Sequence, residues 1–208
     1  MSNYLALATV SATVGRLVGE ALEQIPNPSG IPRVRFGPPQ ADAQYVGCTI
    51  FVYRVATNPF LRNEDLPTRN DDGAFVQRPQ ATLDVDYLFT FAGEEATLEP
   101  QRFLGSVICA LHAQPVLASD AIRRTIAASS YLKGSDVDAQ IDRISLRPRD
   151  IDQQTMGQLW NTFPQVPYNL SVVYTASAIL IDAQITPIEI PLVTAVEATV
   201  DPSMARLR

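Results

Sequence analysis

The residues of this chain with the clearest potential for chemistry are Cys109 and His112, which are three positions apart and would share one face of a helix. His112 is the only histidine, and the only other cysteine is Cys48. A cysteine–histidine dyad needs a third group that orients the imidazole, and a zinc site needs four ligands. The simpler interpretation is therefore that both cysteines are reduced and buried, with Cys109 facing the core and His112 at a helix end before Pro115.

Paired carboxylates are the second candidate. Asp84 and Asp86 would share one face of a strand, about 7 Å apart. Such a pair can act as general acid and base, but here it more simply marks the wetter face of a strand over residues 82–91. The alternation places Leu83, Val85, Tyr87, Phe89 and Phe91 on the other, core face of this strand. Asp150 and Asp152 fit the start of a helix. The chain has no phosphate-binding loop, dinucleotide-binding turn or nucleophile elbow, so we predict no enzymatic activity, no cofactor and no metal.

The composition predicts one globular domain, or a domain with an arm. The chain has 208 residues, of which 46% are apolar, and a net charge of −6. A compact chain of this length buries about 70% of its unfolded surface, which is enough for a core without disulfides. Binding to nucleic acid or anionic lipid would need clustered basic residues. No apolar run reaches the roughly 18 residues of a membrane span, and residues 1–10 lack a secretion signal. We therefore expect no nucleic-acid partner, no membrane insertion and assembly in the cytoplasm.

Hydrophobic periodicity predicts an α+β fold, in which a mixed, mainly antiparallel sheet of about five strands packs against helices. An amphipathic N-terminal helix is predicted over residues 4–24, and its Gly15-x-x-x-Gly19 spacing indicates close packing against a neighbour. Further helices are predicted over residues 99–114 and over residues 119–129, with Ser119 as the cap of the second. A last helix is predicted to follow residues 147–152 and to end at Trp160. The predicted strands are residues 31–36, 46–55, 82–91, 138–146 and 170–181. Because helices and strands do not alternate regularly, α+β is favoured over α/β.

A long polar segment separates two of these strands. Strands 46–55 and 82–91 are predicted to form a wide hairpin, whose connection over residues 58–79 is far longer than the usual 4–6 residues or so. It contains Leu61 and Leu66, which are atypical of a solvating linker, so we interpret it as a contact surface held up by the sheet. Prolines at 187, 191 and 202 argue against a central strand in the last segment, so an extended arm is predicted over residues 183–208, after a domain over 1–182.

Six stretches of the chain, in this order, resemble one family of proteins. They are residues 1–13 (MSNYLALATVSAT), 51–69 (FVYRVATNPFLRNEDLPTR), 77–91 (QRPQATLDVDYLFTF), 98–107 (LEPQRFLGSV), 111–117 (LHAQPVL) and 159–174 (LWNTFPQVPYNLSVVY). Together they are similar to the cap, or tube-terminator, proteins of extracellular contractile injection systems such as the antifeeding prophage and the Photorhabdus virulence cassettes. These caps are themselves similar to the tail terminators of contractile phages.

The resemblance implies a structural role. Caps of this family form a six-fold ring that ends the inner tube and anchors the last sheath layer of a particle that can be released from the cell. The implied partners are therefore further copies of the chain, in a hexamer, together with the inner tube protein and the sheath protein. The alternative from another class is an adaptor or scaffold module that binds proteins and has no tube.

Two segments are predicted to make the contacts of such a ring, since a head-to-tail ring closes only if each subunit offers two different surfaces. The loop would contact a neighbouring subunit or the tube end, and the arm would add an edge strand to a sheath subunit or a sister cap. The predicted contact residues are Leu61, Arg62, Leu66, Arg69 and Arg78 in the loop and Ile188, Ile190 and Leu192 in the arm. Two alternatives stay open: a loop packed on itself, and an arm folded back on its own domain.

Overall fold

A computed structural model describes residues 3–26, 29–61, 80–140 and 142–183. The elements follow in the predicted order of helix, three strands, two helices, strand, helix and strand. They are α1 (Ala6–Glu23), β1 (Arg33–Phe36), β2 (Gly47–Thr57), β3 (Gln80–Ala92), α2 (Glu99–Ala113), α3 (Ser119–Ala128), β4 (Ser145–Pro148), α4 (Gln153–Trp160) and β5 (Ser171–Asp182). Over the described residues, no helix has both the length and the apolar character needed to cross a membrane.

The strands of the described residues form one five-stranded sheet in the order β1-β2-β3-β5-β4. β1 runs parallel to β2, and the other neighbours are antiparallel. β3 is the centre of the sheet because it pairs along most of its length with both β2 and β5. The prediction of an α+β fold with a mixed, mainly antiparallel sheet, an N-terminal helix and further helices is confirmed.

Two glycines set how closely α1 lies on the sheet. A Cβ atom at Gly15 would stand 2.2 Å from Cζ of Phe36, and one at Gly19 would stand 3.7 Å from Cγ2 of Val34. Both neighbours belong to β1. The close packing predicted from the Gly-x-x-x-Gly spacing is therefore confirmed, and the neighbour is the edge strand β1.

The larger core fills the space between the sheet and helices α1 and α2. Val85, Tyr87, Phe89 and Phe91 of β3 are at most 1% exposed, as the alternation of residues 82–91 predicted. The helices contribute buried aliphatic and aromatic side chains, among them Val10, Val14, Val18 and Leu22 from α1 and Phe103, Val107 and Leu111 from α2. Both the period of about 3.6 in the helices and the period of two in the strand therefore point into one core.

The opposite face of β3 is also covered, so the prediction of a wetter face was wrong. Leu88 is fully buried there in a second cluster with Trp160, Phe163 and Val173. Phe163 meets Phe51 of β2 edge to face, with ring centroids 5.5 Å apart. α4 and the residues that follow it supply this cover. Asp84 and Asp86 on this face are consequently paired with other protein groups, and only a minority of their surface meets water.

Two local predictions also differ from the structure. The strand predicted over 138–146 is reduced to β4, which begins at Ser145 and follows the 3₁₀ turn Val137–Ala139. Where a longer strand would have paired with β5 through its backbone, the side chain of Gln140 makes the contact. It donates to the carbonyl oxygen of Ala178 at 2.6 Å and accepts from the amide of Leu180 at 3.1 Å. In α3, Ser119 is the first helical residue rather than the cap, since the cap position belongs to Ala118.

Candidate partner-binding surface

The structure does not assemble the cysteine and histidine into a reactive site. Cys109 and His112 are both exposed, so the prediction that Cys109 faces the core was wrong; it lies off the buried stripe of α2. Cys48 is buried, and burial raises the pKa of its thiol, which disfavours the nucleophilic thiolate. Among the described residues, no group of three or more His, Cys, Asp or Glu side chains is placed to hold a metal ion.

Asp86 is engaged in structural contacts. It is 2% exposed, accepts a hydrogen bond from Oγ1 of Thr175 at 2.6 Å, and lies 3.2 Å from Nη1 of Arg54 and 3.4 Å from Nη1 of Arg149. Two guanidinium groups and a hydroxyl thus surround the carboxylate, and the contacts join β2, β3, β5 and the residue after β4. The prediction that Asp86 marks a solvated face was wrong, because these distant partners compensate its charge inside the protein.

Asn58 forms the base of the long segment between β2 and β3. It is 6% exposed, and its amide donates to the carbonyl oxygen of Thr82 at 2.9 Å. Its Oδ1 atom accepts from the backbone amides of Phe60 and Leu61 at 2.9 and 3.0 Å, while Nδ2 donates to Oδ1 of Asp84 at 2.8 Å. One amide side chain therefore connects the end of β2, the first residues of the segment and β3.

Replacement of Asn58 by alanine should loosen this base. We expect Asn58→Ala to lower the free energy of unfolding by about 1–2 kcal/mol, because two backbone amides lose their acceptor and Asp84 loses a donor. Urea denaturation measures the change. Asn161→Ala is the matched control, since Asn161 is exposed at the end of α4, and it should stay within about 0.5 kcal/mol of the parent protein. Equal values for the two variants would contradict the role given to Asn58.

Of the predicted contact residues, only Leu61 lies in the described part of the chain. It is partly buried and is held by Asn58 through its backbone amide. The adjacent Phe60, which the sequence reasoning did not single out, is 87% exposed. Its position directly after an Asn-Pro dipeptide, which favours a turn, was the available signal. The other predicted contact residues, Arg62, Leu66, Arg69, Arg78, Ile188, Ile190 and Leu192, lie outside the described residues.

The structure brings the starting points of the two predicted contact segments to the same end of the sheet. β2 ends at Thr57 opposite Leu83, and Gln80 at the start of β3 pairs with Asp182 at the end of β5. The Nε2 atom of Gln80 also donates to Oδ1 of Asp182 at 2.7 Å. The described ends from which residues 62–79 and residues 184–208 continue therefore lie at the same end of the sheet, which the sequence alone could not indicate.

A further surface was missed in the sequence: the side of β2 that faces away from β3. On this side, β1 pairs only with Gly47 to Ile50. No other described strand lies on this side of residues 51–57, and we call this side of residues 51–57 the open edge of β2. An apolar groove of about 400 Å³ adjoins it, lined among others by Ala8, Ala12, Phe36, Val52 and Tyr131. The available signal was the mismatch between a short first strand, ended by Gly37 and two prolines, and a much longer second strand.

The described residues form a small α+β domain built on a mixed five-stranded sheet. The sequence matches the Pvc16 N-terminal domain family over residues 9–195. The chain therefore belongs to the Pvc16 N-terminal domain family, and the family resemblance seen in the sequence is confirmed.

Two solved structures share the fold. The sheath/tube terminator of the extracellular contractile injection system PVC, in its extended state, is similar with a TM-score of 0.60 and 17% identity, over 94% of this chain and 63% of that one. The tube-terminating cap of the anti-feeding prophage is similar with a TM-score of 0.60 and 16% identity, over 92% of this chain and 60% of that one. The chain thus spans about three-fifths of each of these proteins. A comparison with curated proteins found no match.

Proposed function

We propose that this protein is a structural cap that forms a ring at the end of a phage-tail-like contractile injection particle. In this role it terminates the inner tube and anchors the last sheath layer. The observation that carries the proposal is the shared fold, which spans more than nine-tenths of this chain in both a sheath/tube terminator and a tube-terminating cap. The adaptor or scaffold alternative is not favoured, because both fold neighbours end a tube.

Two segments of the chain are assigned to the contacts within the ring. A head-to-tail ring needs two different surfaces on each subunit, and we assign them to residues 58–79 and to residues 183–208, whose described ends lie at the same end of the sheet. We assign the loop residues Leu61, Arg62, Leu66, Arg69 and Arg78 to a ring neighbour or the tube end. The domain over 1–182 then forms the body of the ring, and the arm supplies a further contact with sheath or ring neighbour.

The proposal includes the setting of the assembly. The subunit number is six, the tube and sheath proteins are the partners, and the ring is added in the cytoplasm to a particle that is released from the cell. Electron microscopy of the purified full chain tests the core of the proposal. Rings of one diameter are expected, and a protein that stays monomeric at high concentration, alone and with tube ends added, would refute it.

Substitutions in the loop should weaken the ring. We expect Leu66→Ala combined with Arg69→Ala to lower the association constant of ring assembly at least about tenfold, equivalent to about 1.4 kcal/mol, because truncated apolar and arginine anchors dominate the loss at protein interfaces. Mass photometry over a concentration series measures the distribution of oligomers.

A matched pair on the body of the domain provides the control. Ile31 and Arg124 are both exposed, and both are distant in sequence from residues 58–79. Ile31→Ala combined with Arg124→Ala should leave the association constant within about twofold of the parent value. Unchanged assembly in the loop variant would show that residues 58–79 pack only on their own domain.

A further inference from the structure

The open edge of β2 presents backbone groups for another strand. At one end the carbonyl oxygen of Ile50 accepts from the amide of Gly37, and at the other end the amide of Asn58 bonds to β3. Backbone groups alternate in direction along a strand, and the register shifts between Val52 and Arg54. Val52 and, after the irregularity, Val55 therefore direct their amide and carbonyl groups to the open edge. Such an edge is a template for strand addition.

The face next to this edge is apolar and exposed. Val55 pairs with the core residue Val85 across the sheet, yet it is itself 47% exposed. Phe36 and Tyr131, which line the neighbouring groove, are 52% and 68% exposed. A strand that pairs with the open edge would lay every second side chain over this groove, so an occupant with apolar residues at alternate positions fits it.

Residues 186–192, with the sequence TPIEIPL, have this pattern. Ile188, Ile190 and Leu192 fall on one phase of the alternation, and Pro187 and Pro191 fall on the other. Side chains and backbone amides both alternate with period two. In one register of an added strand, therefore, the apolar side chains would face the groove and their amides would face β2, while the prolines, which lack an amide hydrogen, would face outward. Proline is tolerated in an edge strand only in this orientation.

We propose that residues 186–192 of one subunit add as an edge strand to the open edge of β2, residues 51–57, of the neighbouring subunit. The inference rests on the proposed ring and deepens it, because a donor strand and a different acceptor edge are the two unlike surfaces that head-to-tail closure requires. The two stretches have equal length. A neighbour is the better acceptor than the same chain, because β3 lies between β5, which ends at Asp182, and β2, whose open edge faces away from β3.

Engineered disulfides test the register and the origin of the strand. In a Cys109→Ser background, Val55→Cys is combined in turn with Ile188→Cys, Ile190→Cys or Leu192→Cys, and with Glu189→Cys as the off-phase control. Cβ atoms of directly paired residues lie about 4.5–5.5 Å apart, close to disulfide geometry. After mild oxidation, at least one in-phase pair should link separate chains into covalent dimers and larger species on a non-reducing gel, and the Glu189 pair should not.

Three results would overturn the inference: a disulfide within one chain, no disulfide in any in-phase pair, or equal linkage in the Glu189 control. Mass photometry of the reduced variants reports ring formation separately. Rings without the expected linkage would end the strand-addition inference and leave the cap proposal intact, whereas a protein that never oligomerises would end the cap proposal. As a second measurement, Ile190→Pro, which removes an inward amide, should weaken association at least about tenfold, and Glu189→Pro should stay within about twofold.

Discussion

Phe89→Ala is expected to lower the free energy of unfolding by about 3–5 kcal/mol. Phe89 is fully buried in β3. Its ring meets that of Tyr174 edge to face, with centroids 5.5 Å apart, and the centroid of the Tyr87 ring lies at 6.3 Å. β3 is held by β2 on one side and β5 on the other, so the backbone cannot move in to fill the cavity. Since domains are typically stable by about 5–15 kcal/mol, a large share of the total would be lost.

Urea denaturation followed by circular dichroism measures this loss. Phe60→Ala removes the same side chain at a position that is 87% exposed, and it should change the free energy of unfolding by no more than about 0.5 kcal/mol. The contrast separates burial from residue type. If Phe89→Ala lowers the free energy of unfolding by less than about 1 kcal/mol, the described packing of the core around this ring is wrong.

Gly47→Ala should destabilise the protein by at least about 3 kcal/mol. Gly47 has a φ of +134°, and a Cβ atom there would stand 2.0 Å from the carbonyl oxygen and 2.6 Å from the amide nitrogen of Arg33. A conformation that side-chain-bearing residues avoid costs about 1–3 kcal/mol, and the clash is with backbone, which no side-chain rotation relieves. The pairing of β1 with β2 should therefore open, which would extend the open edge of β2 toward its start.

Gly105→Ala is the control with the opposite sign. Gly105 lies inside α2, and a Cβ atom there would meet nothing within 4 Å. Alanine is favoured over glycine in a helix interior by up to about 1 kcal/mol, so this variant should be slightly more stable than the parent protein. Thermal denaturation of both variants checks the pair, and the same direction of change in both would contradict the described geometry at Gly47.

The sequence by itself determined the elements and the main core. Alternation over residues 82–91 correctly placed Val85, Tyr87, Phe89 and Phe91 on one buried face, and the spacing of Gly15 and Gly19 correctly indicated close packing. The order of helices and strands and the α+β class followed from the same periodicities. These succeed because period is a local property of the chain, and burial of one face is a strong, additive driving force. For the candidate surface, the sequence identified the long loop but not Asn58 as its base.

Only the tertiary structure decided what covers each face and which edges stay open. Arg54 and Arg149 compensate the charge of Asp86, so a face that the sequence predicted to be wetter is buried. Gln140 bonds to Ala178 through its side chain, where the sequence predicted a strand. In both cases the partners lie far along the chain. In the same way, the short β1 leaves residues 51–57 of β2 without a described strand on the side that faces away from β3. The period of a strand predicts which side chains share a face. The free-energy cost of burying a polar group, however, depends on the partners that the fold brings to it.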